Sequence, residues 1–367
     1  MTEPVRLVGA AVAAALLVVA LIPVAIRVAR ALDFYDRPVG YKGHGAPTPY
    51  LGGAAVVAGT LVAMLAFAGD AARLAPLAAC ALGLWVVGTV DDWRRLGPGF
   101  RVLVTAVAAV ILWAADLGWS LPGGTLPDLL VTIVWVVALV NAFNLTDNMD
   151  GAAGAVTGAA AVGAVALAVR VDDVALAVAA VSLAGASLGF LRYNAARPAR
   201  IFLGDGGSMP IGLIVATILM GLRVDHGLGW GALVVAGLMG GVPILDTTLV
   251  VWSRRRRSLA VASGARDHLT HRLRTRLPSA RIVALVLAAT QLTLAALALL
   301  ASELLSEALL LLLLPVAVIA GVAAIAVLDS PAWTPPAYRD NETMSADLLR
   351  AAVAKSRNRL TARLGDR

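Results

Sequence analysis

Long apolar stretches alternate along most of the chain with short polar segments that are rich in glycine. Each stretch runs for about 17 to 25 residues, which is long enough for a helix to cross about 30 Å of hydrocarbon. Several are rich in Ala and Gly, which favour close helix packing in lipid. The pattern predicts an all-α polytopic membrane protein of about eleven membrane-spanning helices. Their predicted starts are Val5, Leu51, Leu74, Val102, Leu129, Gly151, Val174, Met209, Ala232, Ile282 and Leu305.

Composition supports the same class. The 367 residues are 60% hydrophobic and 14% charged, which is too apolar for an ordinary soluble domain. The first stretch, Val5 to Ala29, exceeds the apolar region of a secretory signal and lacks a basic leader, so we expect a retained helix. Cys80 is the only cysteine, which excludes an intrachain disulfide.

The basic residues predict the orientation. Of the 30 Lys and Arg residues, about four fall in one set of loops and the rest in the other. The positive-inside rule then places the amino terminus outside and the carboxyl terminus inside. We expect a transmembrane catalytic domain over 1–328 and a cytoplasmic basic tail over 329–367, part of which resembles an amphipathic surface helix. Anionic lipid and a phosphorylated substrate account for the net charge of +7 without nucleic acid.

Five aspartates lie at the ends of the predicted spans, all in loops assigned to the cytoplasm: Asp91, Asp92, Asp147, Asp150 and Asp205. A carboxylate near hydrocarbon costs about 2.5 to 3.5 kcal/mol on insertion scales, so intramembrane acids mark functional sites. Helix caps or loop markers explain single members of the set. Their convergence predicts a metal-dependent site for a phosphorylated substrate at the cytoplasmic face.

The spacing of these acids suggests how they are presented. If the helix continues through Asp91 and Asp92, the two side chains point about 100° apart, so one can face a metal and the other a second group. Neighbouring Arg94, Arg95 and Arg101 supply opposite charge, and a salt-bridged helix end is the alternative reading. A helix through residues 144–150 would align Asn144, Asp147 and Asp150 along one face.

Two other loops combine cations with glycine. Lys42 and His44 precede Gly52 and Gly53 at the start of a predicted helix, where a phosphate binds favourably. Further along, Asn194 and two arginines approach Asp205, which is followed by Gly206, Gly207 and Ser208. That composition is typical of a phosphate cradle beside a metal ligand. It lacks the Lys of a Walker loop.

The last inner loop contains His268 and His271, three residues apart on one face of a short predicted helix. Such a pair can bind zinc, but no third ligand is evident, so hydrogen bonding to a diphosphate or a sugar is preferred. The preceding run of arginines, 254–257, is interpreted as an anchor at the membrane surface.

Taken in order, these segments resemble the polyprenyl-phosphate N-acetylhexosamine-1-phosphate transferase family, glycosyltransferase family 4. The resemblance runs from about Asp36 to Leu273. It rests on DRPVGYKGHGAPTPYLGG, GTVDDWRR, NAFNLTDNMDG, IFLGDGGS, VPILDT with Asp246, and DHLTHRL.

The resemblance implies transfer of N-acetylhexosamine 1-phosphate, with GlcNAc expected, from a UDP-sugar to undecaprenyl or decaprenyl phosphate. UMP is released, Mg²⁺ or Mn²⁺ is required, and the reaction is the first membrane step of cell-envelope glycopolymer synthesis. A homodimer is compatible with it. The alternatives are the phospho-MurNAc-pentapeptide transferase of peptidoglycan synthesis and a lipid or solute transporter without catalysis. A transporter would have acids near the bilayer centre and similar halves.

By the same resemblance, Asp205 ligates the metal, and Asp91 and Asp92 hold or deprotonate the acceptor phosphate. Asp150 and Asn194 contact the uridine end, and Asp147 lies near the diphosphate and sugar. The full implied substrate-binding set is Lys42, His44, Arg95, Asn144, Asp147, Asp150, Asn194, His268 and His271.

The chain departs from the family pattern at three positions. Thr270 stands where relatives of the GlcNAc branch have a further histidine, and Asn148 replaces a common glycine. Arg95 stands where the MurNAc-pentapeptide branch has lysine. The PTPYLGG and HLTHRL segments are nonetheless closer to the GlcNAc branch.

Overall fold

The structure is a computed structural model, and it describes residues 2–37, 47–221, 228–260 and 265–335. Within these ranges the chain is almost entirely helical, as predicted, with one short pair of strands. The elements in order are α1 (Glu3–Ala31), β1 (Tyr35–Asp36), β2 (Thr48–Pro49), α2 (Gly52–Phe67), α3 (Ala71–Arg94), α4 (Pro98–Ala114), α5 (Thr125–Thr146), α6 (Ala152–Arg170), α7 (Val174–Asn194), α8 (Asp205–Met220), α9 (Gly231–Met239), α10 (Gly241–Arg256), α11 (Leu269–Arg274), α12 (Ala280–Leu304) and α13 (Glu307–Leu328).

The predicted spans correspond to apolar helices of unequal length. Among the described residues, seven helices are long and apolar enough to cross a membrane, and the bent pair α9 and α10 makes an eighth if it counts as one span. Three shorter apolar helices, α2, α4 and α8, account for the other predicted starts. The polytopic all-α class is therefore confirmed, while eleven crossings remain a prediction.

The helix predicted from Ala232 is broken. α9 ends at Met239 and α10 begins at Gly241, with a bend of 83° between them. The buried side chain of Gln291 on α12 spans the break: its Nε2 donates to the Met239 carbonyl at 2.6 Å, and its Oε1 accepts from the Val242 N–H at 3.1 Å. Since unsatisfied backbone groups in hydrocarbon cost several kcal/mol each, Gln291 stabilises the break.

α8 is the central helix. Every residue from Gly206 to Met220 is buried, and α3 and α5 flank it. Around this centre, α1 packs on α2 and α7, α7 on α6, and α6 on α12. The first residue of α8 is Asp205, so the amino-terminal end of the central helix lies among the carboxyl-terminal ends of α3 and α5.

The base of the first polar loop is attached beside that end. β1 and β2 pair antiparallel on either side of residues 38–46, and Lys42 and His44 lie there, outside the described residues. The chain after β2 then pairs with the segment before α8: Phe202 donates to the Pro49 carbonyl at 2.9 Å, and Gly53 donates to the Leu203 carbonyl at 2.9 Å. The first loop therefore begins and ends next to the start of α8.

Glycines allow the helices to approach closely here. A Cβ at Gly53 would lie 2.3 Å from the Gly207 nitrogen, and one at Gly88 would lie 2.3 Å from the Asp205 carbonyl oxygen. Both neighbours are backbone atoms that cannot yield. The glycine-rich turns around the aspartates thus bring α2, α3 and α8 into backbone contact.

Candidate active site

Four of the five predicted aspartates meet at the amino-terminal end of α8. Asp91 and Asp92 lie in the last turn of α3, Asp147 ends α5, and Asp205 begins α8. Asn144, in the last turn of α5, joins them. Elements far apart in sequence therefore place their polar ends at one end of the helix bundle.

Asp92 caps α8. Its two carboxylate oxygens accept hydrogen bonds from the backbone N–H groups of Asp205 at 3.0 Å and Gly206 at 3.2 Å. A carboxylate stabilises a helix amino terminus both by satisfying free N–H groups and through the helix dipole. At Gly204, where φ is 73°, a side chain would lie 2.5 Å from the Asp92 carboxylate. Asp92 consequently fixes the position of Asp205.

Asp205 is held between an amide and a guanidinium. Asn144 Nδ2 donates to Asp205 Oδ1 at 2.7 Å and to Ser208 Oγ at 2.9 Å. Arg101 Nη1 donates to Asp205 Oδ2 at 3.0 Å and to Asp91 Oδ2 at 2.9 Å. The other Asp91 oxygen accepts from the Leu96 N–H. One cationic group therefore contacts two carboxylates, whereas the sequence predicts for Arg101 only a neighbouring positive charge.

Asp147 completes the group. Its Oδ2 accepts from the Gly204 N–H at 3.2 Å. Burial, and next the nearby charge of Asp205, raise the pKa of Asp147 to about 7. The expected helical stripe is wrong for its third member, because α5 ends at Thr146 and Asp150 lies in the turn before α6. The charge of Asp150 still raises the pKa of Asp147, so the two carboxylates are near each other.

Asn194 is placed differently from the other predicted residues. Its Oδ1 accepts from the Gly151 N–H at 2.7 Å and its Nδ2 donates to the Ile201 carbonyl at 3.0 Å. The side chain is buried and joins the end of α7 to the start of α6 and to the segment leading into α8. This contact orients the turn that carries Asp150, while the implied contact with uridine remains a prediction.

The last loop docks onto the same end of the bundle. Asp246 on α10 accepts from the Leu269 N–H at 2.6 Å and pairs with His268 Nδ1 at 3.1 Å. The rings of His268 and His271 lie 6.3 Å apart. The Thr270 hydroxyl donates to the side-chain oxygen of Asn148, which connects the two histidines to the segment between Asp147 and Asp150.

Behind the last loop lies a second charged group, here called the arginine cluster, which consists of Arg254, Arg256, Arg257, Arg272, Asp267 and Asp329. Arg254 and Asp267 form two hydrogen bonds of 2.8 Å, with side chains 2% and 0% exposed. Arg272, also fully buried, donates to Asp329 at 3.0 Å. The surface-anchor interpretation is thus wrong for Arg254, which is a buried ion-pair partner.

The structure also describes the glycine turn at the start of α8, Arg95 and Tyr50. Gly206 and Gly207 are buried against α3 and α2, and the Gly206 N–H is bonded to Asp92, so this turn is a packing surface rather than an open phosphate cradle. Arg95 lies at the exposed end of α3. Tyr50 was missed. Burial, and next the charge of Asp36, raise the pKa of its hydroxyl above its usual range.

The donor set fits a hard divalent cation. Among the described residues, no group of three or more His, Cys, Asp or Glu side chains encloses a metal. Mg²⁺, however, is commonly held by one or two carboxylates together with waters and substrate phosphates. Asp91 and Asp205 offer such a pair, since both already contact one cationic group, the Arg101 guanidinium.

Comparison with known proteins places these residues in context. The profile of glycosyl transferase family 4 matches residues 74–223, a range that contains all five aspartates but neither histidine of the last loop. A probable undecaprenyl-phosphate N-acetylglucosaminyl 1-phosphate transferase of Bacillus subtilis is 28% identical over 73% of this chain and 77% of its own length.

Two further relatives show the breadth of the likeness. A phospho-N-acetylmuramoyl-pentapeptide-transferase of Moorella thermoacetica is 31% identical over 56% of this chain and 69% of its own length. A putative glycosyltransferase of Streptomyces coelicolor is 34% identical over 62% of this chain, which spans 55% of that protein.

Proposed function

Since this chain belongs to glycosyl transferase family 4, we propose that it transfers N-acetylglucosamine 1-phosphate from its UDP-activated form to a polyprenyl phosphate in the membrane and releases UMP. The observation that carries the proposal is the convergence of Asp91, Asp92, Asp147 and Asp205 at the start of α8, with Arg101 bridging two of them. Phosphoryl transfer needs positioned substrates and stabilised charge more than covalent catalysis.

The geometry supports distinct roles for the aspartates. Asp205 and Asp91 would hold Mg²⁺, or Mn²⁺ in its place, and the bound ion would neutralise negative charge on the diphosphate. Asp92 uses both carboxylate oxygens on the backbone of α8, so it acts by positioning Asp205. Arg101 supplies a fixed positive charge beside the reacting phosphates.

The proposed step is a direct in-line displacement. An oxygen of the acceptor phosphate forms a bond to the sugar-proximal phosphorus while the bond from that phosphorus to the oxygen of UMP breaks. The electron pair leaves with UMP, and no protein side chain is phosphorylated. Arg101 and Asn144 maintain the arrangement of the carboxylates around Asp205 during the step.

The sugar is the finer part of the proposal. GlcNAc is supported by the Bacillus relative and by the PTPYLGG and HLTHRL segments. The MurNAc-pentapeptide reaction is the second candidate, because the Moorella relative carries that name. We also propose that this end of the bundle faces the cytoplasm, which rests on the distribution of Lys and Arg between the loops.

The test is a UMP-release assay with the purified protein, Mg²⁺ and undecaprenyl phosphate, run separately with UDP-GlcNAc, UDP-GalNAc and UDP-MurNAc-pentapeptide. Release with UDP-GlcNAc alone supports the proposal, and release with the pentapeptide substrate alone supports the second candidate. Failure of all three would contradict both. A stoichiometric burst of UMP without any polyprenyl phosphate would contradict the direct step.

Orientation has its own test. A single cysteine at Ser258, in a Cys80→Ala background, should resist a membrane-impermeant thiol reagent in intact cells and react after the cells are opened. Labelling in intact cells would place this end of the bundle outside.

A further inference from the structure

Two of the three motif positions at which this chain departs from the family pattern contact each other. Thr270, 1% exposed, donates its hydroxyl hydrogen bond to the side-chain oxygen of Asn148. Asn148 Nδ2 in turn donates to the Leu145 carbonyl at 2.5 Å. A backbone carbonyl only accepts, so the amide nitrogen must face Leu145 and the amide oxygen must face Thr270. The orientation of Asn148 is therefore determined.

The same argument continues to His271. A hydroxyl has one proton, and the Thr270 proton is used on Asn148, so Thr270 offers only a lone pair to His271 Nδ1, which lies 3.3 Å from its oxygen. The proton of a neutral His271 ring then belongs on Nδ1, and Nε2 is left with a lone pair. Burial, and next the neighbouring His268, lower the pKa of His271 to about 4, so the ring is neutral at pH 7.

We propose that the relay from Leu145 through Asn148 and Thr270 fixes His271 as the Nδ1–H tautomer, and that Nε2 accepts a hydrogen bond from an N–H or O–H group of the nucleotide sugar. This rests on the proposed function. Asn148 and Thr270 are positioning residues in this arrangement, and His271 determines specificity. The ring is only partly buried, so a substrate group can reach it.

The tautomer changes what His271 can recognise. From the sequence alone, hydrogen bonding of the two histidines to a diphosphate or a sugar is expected. A neutral ring with a free Nε2 lone pair has no donor for the phosphate oxygens at that atom, because ionised phosphate oxygens only accept. The partner must instead be a donor, which in the nucleotide sugar means the acetamido N–H, a sugar hydroxyl or the uracil N–H.

The first experiment measures the tautomer without any reaction. The chain has four histidines, so selective ¹⁵N-histidine labelling gives few signals, and His271→Gln identifies the one of interest. Between pH 6 and 8, two-bond nitrogen–hydrogen spectra should show His271 protonated at Nδ1 only. Thr270→Val should shift it toward the Nε2–H form, and Thr270→Ser should restore it.

Thr275→Val is the matched control, because the Thr275 hydroxyl bonds only to the Arg272 carbonyl one turn back within the described contacts. Its spectrum should equal that of the wild type. A wild-type ring protonated at Nε2, or a Thr270→Val spectrum identical to the wild type, would overturn the proposal.

The second experiment identifies the donor. Binding of UDP, UDP-glucose and UDP-GlcNAc is compared between wild type and Thr270→Val, and loss of one hydrogen bond should weaken binding about three- to tenfold. If Thr270→Val weakens binding of UDP-GlcNAc alone, the donor is the acetamido N–H. If it weakens binding of both nucleotide sugars, the donor is a sugar hydroxyl, and if it weakens binding of all three ligands, the donor is the uracil N–H. In turnover, KM for the nucleotide sugar should rise while KM for the polyprenyl phosphate stays unchanged. Equal binding of all three ligands by both proteins would refute the acceptor role.

Asn148 provides an independent check of the relay. Asn148→Gly should produce the same spectral change as Thr270→Val, and the double variant should show no additional change, because both substitutions interrupt one chain of hydrogen bonds. Additive effects would overturn the relay. If the wild type transfers no sugar phosphate at all, the proposed function is wrong. The tautomer assignment is tested separately, because it depends on the spectra alone.

Discussion

The carboxylates at the start of α8 and the arginine cluster behind the last loop both consist of Asp and Arg at helix ends. Their ratios of arginine to aspartate are opposite. At α8, within the described ranges, one guanidinium, that of Arg101, bonds to Asp91 and Asp205, while Asp92 and Asp147 accept from backbone N–H groups. In the arginine cluster, four arginines surround two aspartates.

The charged groups in excess, arginines in the cluster and carboxylates at α8, differ in the partners that they have. Arg272 uses its further donors on the carbonyls of Asp267 and Leu328, at 2.8 and 2.6 Å. Every nitrogen of the Arg272 guanidinium therefore has a partner within the protein. Among the described residues, Asp91 and Asp205 share a single arginine, Arg101, and Asp205 remains 29% exposed. The difference supports the proposal that the arginine cluster stabilises the fold, whereas the α8 carboxylates would bind a cation and a substrate.

The strongest test removes the charge of Asp205. Asp205→Asn should lower kcat by roughly a thousandfold, because a stabilising charge at the reacting phosphates is lost while the shape is kept. UMP release across a range of Mg²⁺ concentrations measures the loss. Asp116→Asn, an exposed aspartate in a turn away from the site, is the control and should be fully active. Turnover by Asp205→Asn close to that of the control would exclude Asp205 as an essential group.

Substitutions in the arginine cluster should reduce the stability of the fold. Arg272→Met should reduce the free energy of unfolding by about 3 kcal/mol, because removing one partner of a buried ion pair leaves the other charge insufficiently compensated. Denaturant unfolding in detergent micelles measures it. Arg274→Met on the same helix is the control, since Arg274 is exposed. Equal stabilities of the two variants would remove the distinction between the regions.

Arg101 sharpens the comparison, because it is the arginine that belongs to the α8 carboxylates. Arg101→Gln should lower kcat/KM roughly tenfold or more, as a hydrogen bond to a charged group contributes about 1.5 to 3 kcal/mol. Arg101→Lys should recover part of the loss. Arg94→Gln, which removes an exposed guanidinium stacked near Trp93, should be nearly neutral. If the Arg94 variant were as impaired as the Arg101 variant, general loop charge would explain both.

The smallest expected effect is the dependence of stability on pH. Burial alone would raise the pKa of Asp329, but hydrogen bonds from Arg256 and Ser253 and the charge of Arg272 lower it below its ordinary range. The pKa of Asp267 is likewise lowered by Arg254, against its burial. Both groups therefore stabilise the fold fully above about pH 5 and lose that contribution as pH falls below the unfolded value of about 3.9. Thermal unfolding between pH 3 and 7 should show the decline in wild type and a shallower one in Asp329→Asn.

The sequence predicted the helical class and the convergence of the aspartates because both depend on local signals. Apolar length identifies a helix, and topology places alternate loops at one end. The break between α9 and α10 has a local signal in Gly240, Gly241 and Pro243, but the total apolar length predicts one continuous helix. The isolated Gln291 in an apolar span was the complementary signal.

Long-range pairings were not readable in this way. The run beginning at Arg254 resembles a surface anchor until Asp329, more than 70 residues later, is brought against it. Asn148 and Thr270 each depart from the family pattern. They are 122 residues apart in the sequence, so only the folded structure shows that they contact each other. Arg101 lay beyond a Gly-Pro turn, so its reach back to Asp91 depended on the angle between α3 and α4.

Gln291 has a consequence for how the chain enters the membrane. The backbone groups that it satisfies, at Met239 and Val242, are synthesised about 50 residues before it. During synthesis the α9–α10 segment therefore reaches the bilayer before its hydrogen-bonding partner exists. We therefore expect a chain cut before α12 to insert this segment unbroken or to leave it at the interface, and to acquire the bend that precedes Asp246 only when α12 is present.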